Sequence, residues 1–387
     1  MNRNKLKIAF LHRANDPYTL ERIKYFIKNN HEVFSIMFDL GETDSSQDGL
    51  LTIKLRKTFF DKIPFAKRII HYFEIKRILK QINPDVLHVV NALNLFYLYY
   101  KCKCLKVIEN QGTDVILTPK RFKFLIPFYR FMYKKVDAVV QDSEVAYKSG
   151  LKYGAPENNH MNKIIEIGID FNIFNKNVTK DIIRKTYNLS NRKIVFCSRG
   201  VVNPIYNIDT IIKSILTVRK NFPGCIYILT AEKDQLNSQL SGFIRKHNLE
   251  KNILFAGHQN RIKNLKYFYR DADVNISVPS SDSSPFSVYE SMACLTPNVV
   301  TDLPWLYSKF IPGKHLLVCP ARDEEALAEK INTALNGNHN LDLLSAYDIV
   351  YEKINLMREN ERLESLYRTI LHYRTEKVIE NKLLFNT

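Results

Sequence analysis

Residues 277–297 read Ser277-Val-Pro-Ser-Ser-Asp282-Ser-Ser-Pro285-Phe-Ser-Val-Tyr-Glu290-Ser-Met-Ala-Cys-Leu-Thr-Pro297. The β-branched run Val274–Val278 that leads into them predicts a buried strand ending in a hydroxyl-rich loop. Ser284-Pro285 predicts a helix start, with Ser as N-cap and Pro at the first helical position. The helix should run through Glu290, Met292 and Cys294 until Thr296-Pro297 stops it. A strand that feeds a helix through a tight loop aims backbone N–H groups and a positive dipole end at the carboxyl edge of a parallel sheet, where phosphates bind. Two acids flank this helix start, Asp282 and Glu290. Each has a plainer reading: Ser287-Val-Tyr-Glu290 also fits a capping box, and Asp282 could be an ordinary loop acid.

Outward from this stretch the chain alternates strands and helices. Lys7–His12 predicts a first strand, and Tyr18–Asn30 a helix with Leu20, Ile23, Phe26 and Ile27 on one face. Further strands are predicted at Glu32–Phe38, Asp85–Asn91, Lys106–Glu109 and Ala138–Gln141, and Ile164–Ile167 leads into Gly168. The second half repeats the rhythm at Ile194–Cys197, Ile226–Thr230, Ile253–Ala256, Val274–Val278, Val299–Thr301 and Leu316–Cys319. Such alternation argues for parallel, doubly wound α/β sheets. The first turn lacks Gly-x-Gly-x-x-Gly, so no dinucleotide fingerprint is present. One long helix is predicted over about Leu343–Tyr373.

The chain has 387 residues, 45% hydrophobic and 25% charged, which suits two globular domains rather than a disordered chain. No apolar run reaches the roughly 18 residues of a spanning helix. Met1–His12 has too short an apolar core for a signal peptide and reads as a strand, so a cytoplasmic location is expected. The six cysteines are scattered without zinc-site spacing and are expected to be buried free thiols.

Lys and Arg outnumber acids 57 to 40, a net charge of +17. Nucleic acid, anionic lipid or a phosphorylated substrate could account for this excess. No helix-turn-helix, RNP or zinc-finger pattern supports nucleic acid as a partner. Two segments interleave cations with aromatics. Leu55–Ile82 carries Arg56, Lys57, Phe59, Phe60, Lys62, Phe65, Lys67, Arg68, Tyr72, Phe73, Lys76, Arg77 and Lys80. Pro119–Lys135 (PKRFKFLIPFYRFMYKK) predicts a basic amphipathic helix suited to an anionic membrane surface. Pro127 would kink or interrupt it.

Asp282, seven residues, then Glu290-Ser291-Met292-Ala293 resembles the nucleotide-sugar signature of glycosyltransferase family 4 (glycosyl transferases group 1), although Glu is commoner where Asp282 stands. Weaker matches follow in order. Asn30-His-Glu-Val33 resembles a Gly-His-Glu-Val turn, and Pro84-Asp-Val-Leu-His88 resembles Pro-Asp-Val-apolar-His. Asn110-Gln-Gly-Thr-Asp114 resembles the family's His-Gly-Ser-Asp loop, with Gln111 in place of the His. Gly168-Ile-Asp170-Phe-Asn-Ile-Phe174 is similar to the interdomain crossover, and Phe255-Ala-Gly257 to the turn before the base pocket.

The resemblance implies a GT-B fold, α/β, with two doubly wound parallel-sheet (Rossmann-like) domains facing an interdomain cleft. Residues 1–171 would bind the acceptor, 172–342 the nucleotide sugar, and 343–387 would form a C-terminal helix crossing back. It implies retaining glycosyl transfer, with Asp282, Arg199 and Asp114 as catalytic candidates. Glu290 would hold the ribose, and Arg199 with the backbone of Pro285, Phe286, Ser287 and Val288 the diphosphate. The family often adds a Lys about five residues after that Arg; here Pro204 takes the spacing and Tyr206-Asn207 the alignable turn. No metal or cofactor is implied, only a UDP- or GDP-sugar substrate. The basic–aromatic segments then suggest a glycan or lipid-diphosphate-linked acceptor, as in capsule or lipopolysaccharide assembly, at the inner face of the plasma membrane. Competing expectations are a GT-B nucleotide-sugar 2-epimerase, a non-catalytic GT-B scaffold, and a basic nucleic-acid binder.

Overall fold

The structure, a computed structural model, describes residues 5–13, 16–37, 51–55, 64–91, 103–157, 161–199 and 203–384. The chain forms two units, Met1–Ile167 with Leu356–Thr387, and Gly168–Asn355. No helix among the described residues is long and apolar enough to cross a membrane.

In the first unit seven parallel strands, β1 (Lys7–His12), β2 (Glu32–Met37), β3 (Leu51–Lys54), β4 (Val86–Val90), β5 (Leu105–Asn110), β6 (Ala138–Gln141) and β7 (Asn162–Ile164), lie in the order β3-β2-β1-β4-β5-β6-β7. Alternation along β1 shows why both faces are covered. Ile8 and Phe10 pack with Ile23 and Phe26 of helix Pro17–Lys28 and with Leu363, Leu366 and Tyr367 of the last helix. Ala9 and Leu11 point the other way, to Ile75, Ile78 and Leu79 of helix Pro64–Ile82 and to Tyr129 and Met132. Each fully buried Ile, Leu or Phe side chain among these contributes about 1.5–3 kcal/mol. Helix Pro17–Lys28 starts where it does because Asp16 accepts the Thr19 N–H at 3.2 Å and Pro17 needs no N–H partner.

The last helix is held by a buried polar network. Arg22 of helix Pro17–Lys28 pairs with Glu109 at the end of β5 and donates to the Glu166 carbonyl at 2.8 Å. His88 Nε2 lies 2.9 Å from Glu109, and its Nδ1 2.6 Å from the Tyr367 hydroxyl. An ionised Glu109 can only accept, so Nε2 carries the proton and Nδ1 accepts from Tyr367. Burial pushes the Glu109 carboxyl up, but the Arg22 charge and the His88 hydrogen bond outweigh it and hold it at about 2. Burial lowers His88 in turn, against the pull of Glu109.

The second unit has six parallel strands, β8 (Ile194–Cys197), β9 (Ile226–Leu229), β10 (Ile253–Phe255), β11 (Val274–Ser277), β12 (Asn298–Thr301) and β13 (Leu317–Cys319), in the order β10-β9-β8-β11-β12-β13. One face packs Val195, Cys197 and Ile276 against Ile208, Ile212 and Ile215 of helix Ile208–Asn221 and against Leu327 and Ile331 of helix Glu324–Leu335. On the other face Phe196 meets Phe268 and Tyr269, each with ring centroids 5.3 Å apart.

Three expectations change. The single helix over Leu343–Tyr373 is two helices, Leu343–Lys353 and Leu356–Leu384. The Ile354 carbonyl accepts the Ile169 N–H at 2.7 Å and Asn355 bridges Ile169, so the backbone there is taken by the crossover segment. The first of these helices stays in the second unit, and the second belongs to the first. Pro119–Lys135 is also not one helix. It runs Thr118–Arg121, a 3₁₀ turn Lys123–Leu125 and Ile126–Tyr133, broken at Phe122 (φ −122°, ψ 73°), with Pro127 harmless in the first turn of the last piece. Finally, Cys197, Cys225, Cys294 and Cys319 are buried free thiols, but Cys104 is disulfide-bonded.

Candidate active site

The site is built where β8 and β11 end. Beyond Ser277, the loop 279–285 delivers Asp282, and helix Phe286–Ala293 begins immediately after it. Pro285, not Ser284, occupies the N-cap position, and no side chain caps the helix. Phe286 N–H turns back to the Ser284 carbonyl at 3.0 Å and Val288 N–H to the Pro285 carbonyl at 2.9 Å. Pro285 has no N–H. Of the four residues whose backbone was expected to hold a diphosphate, Ser287 is therefore the one whose amide is best placed to donate; its hydroxyl donates to Ser277 Oγ at 3.3 Å.

Arg199, just past β8, comes to the same place. Its Nη2 lies 2.7 Å from Asp282 Oδ2, and its Nε donates to Ser287 Oγ at 3.3 Å. The other Asp282 oxygen accepts the Ser283 N–H at 2.8 Å, so the carboxylate is fixed to its own loop. The Tyr206 ring lies under the guanidinium, 5.2 Å from its carbon to the centroid. Tyr206 thus fills the turn where the family commonly has a second cation. Gly200-Val-Val202 lies outside the described residues.

The loop is tied down from a third side. Asn207, in the left-handed region at φ 51°, donates to the Val278 carbonyl at 2.8 Å and to Ser280 Oγ at 3.0 Å. Arg322, which follows β13, donates Nε to both Asn207 Oδ1 and Ser280 Oγ at 3.3 Å. Three loops at the carboxyl edge are thereby pinned to one another.

Glu290 stands in the second turn of the helix and caps nothing. Its carboxylate, 2% exposed, forms an ion pair with Arg261 and accepts from the Tyr269 hydroxyl at 3.0 Å. Arg261 and Tyr269 carry no motif, and neither stands out from spacing alone. Gly257 sits in the left-handed region at φ 66°, a conformation that favours glycine.

Asp114 belongs to the first unit. It is buried in the short helix Thr113–Ile116 that follows Gly112, and accepts the Gln111 N–H at 3.0 Å. Asp142, at the end of β6, is pushed well above its ordinary range by burial first and by the Asp114 charge second. Gln111, where an imidazole is common, reaches toward Glu109 at 3.5 Å. Arg199, Asp282, Ser287 and Glu290 are thus gathered by one sheet edge in the second unit, and Asp114 by the corresponding edge in the first.

The description "glycosyl transferases group 1" matches residues 179–348, and "glycosyl transferase 4-like" matches residues 7–143. No curated protein matches the sequence. Among solved structures, a glycosyltransferase from Rickettsia africae superposes with a TM-score of 0.78 at 18% identity, over 95% of this chain and 99% of that one. Sucrose-phosphate synthase from Thermosynechococcus elongatus gives 0.79 at 15%, over 95% and 99%. HepE of Anabaena, in complex with UDP and glucose, gives 0.74 at 14%, over 94% and 100%. The parallel sheets, the acid-x₇-Glu stretch and these matches agree: the chain belongs to the group 1, family 4-type glycosyltransferases and is a GT-B enzyme of that class.

Proposed function

We propose that the enzyme transfers a sugar, with retention, from a UDP- or GDP-sugar to a glycan or lipid-diphosphate-linked acceptor in capsule or lipopolysaccharide assembly. The observation that carries this reading is the convergence of Arg199, Asp282 and Ser287 at the start of helix Phe286–Ala293. Cleavage of the donor passes through an oxocarbenium-like state, as in glycoside hydrolysis, while negative charge grows on the departing diphosphate. A fixed guanidinium and the Ser287 amide, in place before the reaction, stabilise that charge without reorganising. Asp282 orients Arg199 and lies where the donor sugar would sit. Glu290 holds the ribose, and Asp114 serves the acceptor side. HepE, a structural relative, binds UDP and glucose, which supports a uridine donor over a guanosine one.

Because Arg199 supplies the positive charge, no metal is assigned a role. Incubation with a panel of UDP- and GDP-sugars should release nucleoside diphosphate from one of them, undiminished by EDTA. Loss of release with EDTA and its recovery with Mn²⁺ would contradict the charge scheme. Conversion of the donor to its 2-epimer without release would assign the site to epimerisation instead.

The surface of the first unit supports an anionic membrane as partner. Phe122, Phe124 and Phe131 are exposed, Phe124 to 77%. Arg121 lies over Phe122, and Lys135 over Phe131, each 5.3 Å from the ring centroid. Lys120, Lys123, Arg130 and Lys134 are exposed around them, while Tyr129, Met132 and Tyr133 face the core. Helix Pro64–Ile82 packs on the same sheet face and exposes Phe73, Lys76, Arg77 and Lys80. Residues 56–63 of that segment lie outside the described residues, as do the side chains of Phe65, Lys67 and Arg68.

Apolar rings interleaved with cations fit a headgroup layer, at about 1 kcal/mol per basic residue. The protein should sediment with phosphatidylglycerol vesicles, not phosphatidylcholine ones, and be released by salt. Replacing Lys120, Arg121, Lys123 and Arg130 by Gln should weaken sedimentation without changing the thermal melt. Equal binding to neutral vesicles would remove the electrostatic basis.

A further inference from the structure

Glu290 is not an open carboxylate waiting for a ligand. Arg261 Nε donates to one of its oxygens and the Tyr269 hydroxyl to the other. A carboxylate has two oxygens and about four lone-pair positions. With one position used on each oxygen, one remains on each, which is what two vicinal hydroxyls require.

The two clamping side chains are themselves fixed. The Arg261 guanidinium lies 5.2 Å from the centroid of Phe174. Its backbone opens a single π-turn, Arg261–Leu265, capped by Asn260, which accepts the Lys263 N–H at 2.9 Å. Such one-turn π segments recur at functional sites. Tyr269 is fully buried against Phe196, and its carbonyl accepts the Thr296 hydroxyl at 2.6 Å. The last torsion of a Glu side chain is otherwise broad and nearly two-fold, so an unclamped carboxylate would present its lone pairs in many directions.

We propose that Arg261 is a positioning residue for the donor's ribose: with Tyr269 it locks the Glu290 carboxylate so that its remaining lone pairs read the 2′- and 3′-hydroxyls, and the enzyme thereby selects ribonucleoside over 2′-deoxyribonucleoside diphosphates. The proposal rests on the reading that Glu290 faces the donor. It adds the residue that makes Glu290 selective.

The test is calorimetric titration of UDP and 2′-deoxy-UDP, and of GDP and 2′-deoxy-GDP, into the full chain and its variants. Wild type should prefer the ribonucleotide roughly tenfold to a hundredfold, the worth of a hydrogen bond to a charged group. Glu290→Gln and Arg261→Gln should each bring that preference within about threefold, and the double variant should lose no more. Arg261→Lys keeps the charge but not the Nε geometry, and should give an intermediate ratio even if Arg261→Gln fails to fold. If both Arg261 variants weaken the two nucleotides equally and keep the wild-type ratio, the arginine is merely structural and the proposal is wrong. If Glu290→Gln also keeps the ratio, or wild type shows no ribose preference, the placement of the donor at Glu290 fails with it.

Discussion

Replacing Arg199 by alanine is expected to lower kcat/KM for the nucleotide sugar by roughly a hundredfold to a thousandfold, the usual cost of removing a donor aimed at developing negative charge. The loss should fall mainly on kcat, because the charge on the departing diphosphate peaks in the transition state. Nothing in the adjoining turn can compensate, since residues 203–207 are Asn-Pro-Ile-Tyr-Asn. The Tyr206 ring supports the guanidinium but brings no charge of its own. Arg199→Lys should recover only part of the rate, because a single ammonium cannot bond Asp282 and Ser287 while facing a phosphate in the same geometry. Thermal melting should stay unchanged, as the Arg199 side chain is partly exposed and its ion pair lies at the rim of the sheet. A variant with wild-type kcat would remove Arg199 from the chemistry.

The largest effect on stability is expected at Arg22. Arg22→Met leaves the Glu109 carboxylate buried without its cation, and breaking such a pair costs about 3–5 kcal/mol. For a unit the size of Met1–Ile167 with Leu356–Thr387, that is a fall in Tm of roughly 6–20 °C. Arg22→Met combined with Glu109→Gln should recover much of the loss, because no buried charge then remains.

The network also predicts an acid limit. Glu109 is depressed to about 2 when folded, so its contribution is fully present above the ordinary carboxyl range and is lost as pH falls toward 2. His88 is lowered by burial, so protonating it below its ordinary value of 6.5 works against folding in the same direction. Wild type should therefore lose stability on acidification from neutral pH, and Arg22→Met/Glu109→Gln should lose the part that Glu109 contributes. Urea unfolding across pH checks both. An Arg22→Met cost below about 1 kcal/mol would show that the pair does not hold this unit together.

Local chemistry carried most of the fold into view. Apolar runs such as Ile8–Leu11 and Val86–Val90 are strands buried on both faces, and they read as strands without any tertiary information. The strand–loop–helix at Val274–Cys294 was legible for the same reason, and with it Asp282 and Glu290. What the sequence hid were partners far apart along the chain. Arg199 meets Asp282 across 83 residues, and Arg22 meets Glu109 across 87. The helix break at Ile354 is set by the Ile169 N–H, which no local pattern announces. Arg261 gave no signal because a lone arginine after a strand resembles any surface cation. The capping-box pattern at Ser287–Glu290 pointed to a backbone role for Glu290, yet its carboxylate is taken by side chains from another element.

In the proposed function, Arg199 and Ser287 hold a nucleoside diphosphate at the start of helix Phe286–Ala293. Calorimetric titration of UDP and GDP into wild type and Arg199→Ala tests it most directly. Wild type should bind one of the two nucleotides saturably and one-to-one, weakened about tenfold or more by the substitution, with both proteins melting at the same temperature. Equal dissociation constants for the two proteins, or no binding of either nucleotide to wild type, would contradict it.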